Sequence, residues 1–441
     1  MSGERTTVAE WRPVVRELLL LTGLGAGISI ASAIALVAVA GRSGSVWWSV
    51  FAAIVVGGGL AGAVARLVRH RRERRGTPVA RRGLSRPVVG PVALLAATAA
   101  LSLTWSWPGW GHPAPTRIPG VTFLTRPDGT ALAVHVTRAV AATQPPLVVV
   151  HGGPGVADMA HDVPVFADLA ADRDVYVYDQ IGAGASSRLA DPAGYTTERG
   201  VQDLDAVRAL TGADRIALLG HSWGAVIVTR YVSDHPDRVS AVVFSAPGAL
   251  PDADGQIRPG DPTIRLGTGE RLRLYARLSW PRNLFAYALT AVDPQAAHAL
   301  ASDGEMDRRF AAIYTDTAPA LFCDPALAGR LGTSGVGYYA NQIPQLHPDN
   351  AALDRPRLAS VTAPVLVIKP ACDYLPWLTT AEYLNVFPTA RMVLLPDTGH
   401  EAYLERPSAY TELVGDFLAD RTLPLPVQNG QTMPTEYRGT R

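Results

Sequence analysis

The sequence predicts an α/β fold: a mostly parallel sheet with helices on both faces, a helical cap inserted into it, and three transmembrane helices ahead of it. Three observations carry that expectation. From Val121 onward, apolar runs of four to six residues alternate with helical patterns, the rhythm of a parallel sheet covered on both sides. One of those runs, Ile216–Leu219, leads directly into Gly220-His221-Ser222-Trp223-Gly224. The first 112 residues hold three uncharged stretches, each longer than the roughly 20 residues that cross a bilayer core.

Those stretches run from Leu18 to Gly41, from Ser43 to Ala65 and from Pro87 to His112, with helices expected over about 18–41, 43–65 and 87–108. The first is too long for a cleavable signal core and is followed by two more. Nine arginines between Arg66 and Arg86 place the loop after the second stretch on the cytoplasmic side. Wedged between spans, that run reads as a topology signal with affinity for anionic lipid rather than for nucleic acid. The expectation is a multi-pass cell-membrane protein with the lipid bilayer as a partner, a cytoplasmic N-terminus and an extracytoplasmic catalytic domain. Trp47, Trp48, Trp105, Trp107 and Trp110 fall at its outer interface.

The remaining elements follow in order. Val121–Leu124 and Leu132–Val136 are expected to form a hairpin around Asp128-Gly129. Next come a strand at 147–150, a helix at 163–171, a strand at 175–178, a helix at 198–210, the strand at 216–219 with its following helix, and a strand at 241–244. This is the first part of the core, 118–249. Residues 250–357 break the rhythm with short helical patterns and no clear strand, which reads as a helical cap over the site. The rhythm resumes over 358–420 with strands at 365–368 and 392–395 and helices at 379–386 and 408–418. Residues 421–441 read as a flexible tail.

Composition bounds the partners. A net charge of +1 over 441 residues excludes a strongly basic or acidic binding surface for the chain as a whole. Lys369 is the only lysine; every other basic residue is arginine or histidine. Cys323 and Cys372 make neither a disulfide framework nor a metal site. They read as two unpaired small hydrophobes, with a bond to each other in an oxidising compartment as the alternative.

The chemistry is carried by loops at the strand ends. A strand followed by G-x-S-x-G is the nucleophile elbow of a serine hydrolase, and the helix after it turns its positive end toward Ser222. His151-Gly152-Gly153-Pro154-Gly155 follows the strand at 147–150, where adjacent glycines let backbone N–H groups approach a substrate oxygen. Asp373 and His400 follow two later strands, so both reach the same sheet edge as Ser222. The order Ser, Asp, His is that of an α/β-hydrolase. His400 would take the Ser222 proton, and Asp373 would fix the imidazole tautomer. Asp397 reads as a turn cap and His221 as structural, while His112, His135 and His161 lie outside the pattern. No H-E-x-x-H or clustered Cys/His set occurs, so neither a metal nor another cofactor is expected.

Over roughly residues 118–420 the chain resembles the prolyl aminopeptidase (proline iminopeptidase) family of α/β-hydrolases. The resemblance rests on the H-G-G-P-G loop at 151–155, on Asp179-Gln180-Ile181-Gly182-Ala183-Gly184-Ala185-Ser186, and on G-H-S-W-G at 220–224. It implies Ser222 as nucleophile, Asp373 and His400 as its partners, and the amides of Gly153 and Trp223 as oxyanion donors. Ile181 stands where the family's D-Q-R-G loop has arginine, and Ala225 replaces a common glycine. Family members bind the substrate's free amino group through cap carboxylates, for which Glu270, Asp303, Glu305 and Asp307 are the candidates. Three readings follow: a membrane-anchored serine aminopeptidase acting on short peptides through an acyl-enzyme, an esterase or amidase with the same triad, and a membrane sensor or scaffold that has lost catalysis. No nucleic-acid partner is expected, and the oligomeric state is left open.

Overall fold

A computed structural model describes residues 118–251, 260–348, 352–430 and 432–440, with isolated helical positions between 27 and 70. Eleven strands are present among the described residues: β1 (Val121–Thr125), β2 (Ala131–Thr137), β3 (Leu147–Val150), β4 (Val156–Ala157), β5 (Val175–Tyr178), β6 (Ile216–His221), β7 (Val239–Ser245), β8 (Gly335–Val336), β9 (Val365–Pro370), β10 (Ala390–Leu395) and β11 (Val427–Gln428). Nine of them form one sheet in the order β1-β2-β5-β3-β6-β7-β9-β10-β11. The pairings from β5 through β10 are parallel, and those of β1 with β2, β2 with β5 and β10 with β11 are antiparallel. The sheet is therefore mixed, with a parallel centre.

The central strands are apolar at nearly every position because both faces are covered. Val149, Val177, Leu219, Val243, Leu366 and Val393 share one core with Phe166, Tyr403, Tyr410 and Phe417. The neighbouring position on β7, Phe244, faces the other way and packs at a tilt against Tyr383 and Phe387, with ring centroids 4.7 and 5.3 Å away. Each fully buried aliphatic side chain in such a core contributes about 1.5–3 kcal/mol.

The helices are α1 (Met159–Phe166), α2 (Thr197–Thr211), α3 (Trp223–Asp234), α4 (Thr268–Leu278), α5 (Pro281–Val292), α6 (Pro294–Leu300), α7 (Asp303–Thr317), α8 (Tyr338–Leu346), α9 (Arg355–Ala359), α10 (Trp377–Val386), α11 (Ala402–Glu405) and α12 (Pro407–Leu418). Local chemistry sets several boundaries. Thr196 accepts the Arg199 amide to open α2, and Gly212 at φ 72° closes it. α1 starts four residues before the predicted position, because a buried Asp162 and an internal Pro164 mask its periodicity.

The chain divides into two compact units, residues 1–107 with 279–301 and residues 108–278 with 302–441. Within the first, α5 and α6 are joined by Arg282, whose guanidinium donates to the Leu300 carbonyl at 2.8 Å. The second holds the sheet, α1 to α4 and α7 to α12. The expected cap of 250–357 is thus shared between the units, and it contains a strand: β8 pairs antiparallel with β4.

Two expectations change. The three transmembrane helices are corrected: among the described residues no helix is long and apolar enough to cross a membrane. An uncharged run spans a bilayer only when it forms one continuous apolar helix. The stretches at 18–41, 43–65 and 87–108 lie outside the described residues apart from isolated positions. With them go the multi-pass localisation, the cytoplasmic N-terminus and extracytoplasmic catalytic domain, and the bilayer as a partner. The C-terminal residues, expected to form a tail apart from the fold, are tied into it. β11 extends the sheet, Tyr437 is buried, and the Arg438 and Thr440 amides donate to the carbonyls of Ala371 and Asp373 at 2.7 and 3.0 Å.

Candidate active site

Ser222 stands between β6 and α3 at φ 51° and ψ −117°. A side chain bearing that backbone costs about 1–3 kcal/mol and persists only where the surroundings hold it. The Ser222 amide donates to the Ser245 carbonyl at 3.0 Å, and its own carbonyl accepts from Ala225 and Gly248 at 3.0 and 2.9 Å. Gly224 lets the turn press against β3: a Cβ there would lie 2.1 Å from the Val150 carbonyl oxygen. Ser222 and Trp223 open onto a cavity of about 260 Å³, which Gly152, Gly153 and His400 also line.

The 151–155 loop is stitched in place from behind. Burial pushes the His151 imidazole down to about 4, so it is neutral. Its Nδ1 donates to the Gly152 carbonyl and its Nε2 accepts the Gln180 amide, both at 2.9 Å. Gly153 adopts φ 117°, a conformation that a side chain would strain. The Pro154 carbonyl accepts from Asn341 Nδ2 at 2.6 Å and that of Gly155 from the Gly337 amide at 2.8 Å. Ile181, in the neighbouring loop, is buried.

Asp373 follows β9 and His400 lies in the loop after β10. His400 Nδ1 is 2.9 Å from Asp373 Oδ1, leaving Nε2 as its second nitrogen. Asp373 is fully buried and accepts from Lys369 Nζ at 3.0 Å and from the Leu375 amide at 3.2 Å. Burial alone would raise its carboxyl. The Lys369 charge and then His400 outweigh that and hold it well below the usual carboxylate range. The Tyr374 ring lies 4.6 Å from that of His400, and both line the cavity with Ser222. A neutral imidazole held in this way can accept a proton at Nε2 from a hydroxyl in the cavity.

Cys323 and Cys372 are bonded to each other, with Cα atoms 5.2 Å apart, which corrects the reading as unpaired thiols. Sequence distance hid the pair; the fold closes it by laying the segment after α7 against the Asp373 loop. Glu405 completes the strap by accepting from the Cys323 and Asp324 amides at 2.9 and 3.1 Å and from the Gly399 amide.

None of the four cap carboxylates lines the cavity. Glu305 pairs with Arg309 at 2.9 Å, Asp307 with Arg188 at 3.1 Å, Glu270 accepts the Gly267 amide at 2.9 Å, and Asp303 sits in the first turn of α7. The carboxylates on the cavity wall are Asp158 and Glu401, which the sequence did not single out. Glu401 follows His400 directly, a signal that was readable. Burial would raise its carboxyl, but His221 and then His400 bring it below its ordinary value. His221 Nε2 is 3.3 Å from Glu401 Oε2. Burial raises Asp158, partly offset by His161. Asp397 turns outward to Arg406 and Arg438 at 3.2 and 2.5 Å.

Residues 145–407 match the family model described as the alpha/beta hydrolase fold. A proline iminopeptidase of Heyndrickxia coagulans is 37% identical over 102 residues, covering 23% of this chain and 35% of that protein. One from Lactobacillus delbrueckii subsp. bulgaricus is 26% identical over 296 residues, covering 63% of this chain and 91% of that protein. Among solved structures, the proline iminopeptidase of Mycobacterium smegmatis aligns at 23% identity and a TM-score of 0.46, covering 68% of this chain and 98% of that one.

Proposed function

The chain belongs to the alpha/beta hydrolase fold family, and from that premise we propose that it is a serine hydrolase, an aminopeptidase of the proline iminopeptidase kind that releases N-terminal residues from short peptides. The observation that carries this reading is the buried series Lys369, Asp373, His400 behind a cavity that also holds Ser222 on its strained turn.

The chemistry follows from the geometry. Asp373 keeps the proton on His400 Nδ1, so Nε2 accepts the Ser222 proton as the serine oxygen attacks the scissile carbonyl. The developing oxyanion is received by the amides of Gly153 and Trp223. His400 then returns the proton to the leaving amine, and water repeats the sequence on the acyl-enzyme to release the free acid. In an aminopeptidase the substrate's ammonium group is two bonds from the scissile carbonyl, so it lies against the cavity wall. Asp158 and Glu401 supply the negative charge there.

A second reading, an esterase or amidase, is favoured by the apolar part of the same wall, where Phe310, Ile313, Leu321 and Leu331 suit an acyl chain. The two are separated by offering aminoacyl anilides beside their N-blocked counterparts and simple esters. An aminopeptidase cleaves the free-amine substrates and not the blocked ones; equal rates on both defeat that reading. A fluorophosphonate probe should label the wild-type chain and not Ser222→Ala, whose turnover falls by about a thousandfold or more. A wild type that fails to label overturns the hydrolase reading itself.

A further inference from the structure

On the cavity wall His400 and Glu401 meet a third buried donor, His221, to which hydrolysis assigns no role. His221, His400 and Glu401 each present one ligand atom, and these atoms lie within 4.8 Å of one another. All three line the cavity, so a small solute reaches them by the substrate's path. His221 Nε2 and Glu401 Oε2 are 3.3 Å apart, which matches the edge of about 3.3 Å in a tetrahedron with metal bonds of about 2.0–2.1 Å. His400 comes pre-oriented: Asp373 holds Nδ1, which leaves Nε2 as the outward donor, the carboxylate–histidine pairing that aims metal-binding imidazoles.

His221 has no part in the proton transfers described above. Its Nδ1 is buried without a hydrogen-bond partner among the described residues, so no second bond fixes its tautomer. Its Nε2 presents a lone pair to the ion when the ring proton lies on Nδ1, and any proton on Nε2 moves there or is released to solvent as the ion binds. Two imidazoles and one carboxylate suit zinc and its borderline neighbours. Magnesium and calcium prefer oxygen ligands alone.

We propose that His221, His400 and Glu401 form an inhibitory binding site for a divalent cation of the zinc class. The ion occupies the Nε2 lone pair of His400, which is then no longer free to accept the Ser222 proton. Water takes the fourth position.

Inhibition rests on the hydrolase reading, whereas binding does not, and the test keeps the two apart. Tag-free full-length chain is titrated with zinc by calorimetry, and the rate of fluorophosphonate labelling is measured with zinc, with magnesium, and after zinc is removed by a chelator. Expected are one zinc per chain, labelling slowed at saturating zinc and restored by the chelator, and no effect of magnesium. His221→Gln and Glu401→Gln should each weaken zinc binding by about tenfold or more. Absence of stoichiometric zinc binding to the wild type overturns the proposal without recourse to a variant. So does unchanged affinity in both folded variants, or undiminished labelling at saturation. Failure to label in the absence of zinc defeats the hydrolase reading instead, and calorimetry still decides the metal site.

Discussion

Lys369 is a positioning residue whose work is done through its neighbour. Its ammonium is fully buried, bonded to Asp373 and to the Leu375 carbonyl at 2.7 Å, and 5.4 Å from the Tyr437 ring. Because the Asp373 carboxyl is depressed below its ordinary value of 3.8, its contribution to stability is complete above that pH and is lost as the pH falls toward the depressed value. Lys369→Met removes the charge that opposes burial, so the carboxyl rises. Breaking a buried pair costs about 3–5 kcal/mol. Activity should then fall on the acid side, by about tenfold for each pH unit below the raised pKa. The acid limb of the pH–rate profile should move to higher pH; a loss of stability with the limb unmoved would reduce Lys369 to a structural role. Ser222, Asp373 and His400 are readable as candidates in the sequence because each is a polar residue in the turn or loop that follows an apolar strand. Lys369 is not: it lies inside a strand, and its partner is four residues on, around a turn whose path no local pattern gives. The cap acids misled for a related reason. Arg309 and Arg188 neutralise two of them, and only tertiary structure brings Asp307 and Arg188 together.

At the scale of elements, the strap after α7 joins both loops behind the site. The disulfide fixes it to the Asp373 loop, and Glu405 fixes it to the His400 loop. The two cysteines are 49 residues apart, a closed loop worth about 4 kcal/mol by chain entropy. The double variant Cys323→Ser/Cys372→Ser should lower the unfolding free energy by about 2–4 kcal/mol in denaturant titrations. An unchanged midpoint and slope would show that the hydrogen bonds of Glu405 carry the strap alone. Long strands and amphipathic helices were readable from apolar period and length. β4, β8 and β11 were not, since each has only two residues and exists through its partner strand.

At the scale of the molecule, the parallel centre of the sheet gathers the site. β3, β6, β9 and β10 all run the same way, so the loops that leave them converge on one edge. The alternation of strand and helix foretold that convergence, and the order of strands in the sheet added which loops are neighbours. The burial of Lys369 in β9 has a further use. As the chain's single lysine, it is the one side-chain amine that an acylating ester can modify, and in the folded protein it is 0% exposed. Modification must therefore wait for β9 to open. Its rate, followed by peptide mass, should fall steeply below that in strong urea and rise with each destabilising substitution. Equal rates in native buffer and urea would contradict the buried placement. The enzyme thus carries a chemical clock for its own opening, set into the strand that leads to the Asp373 loop.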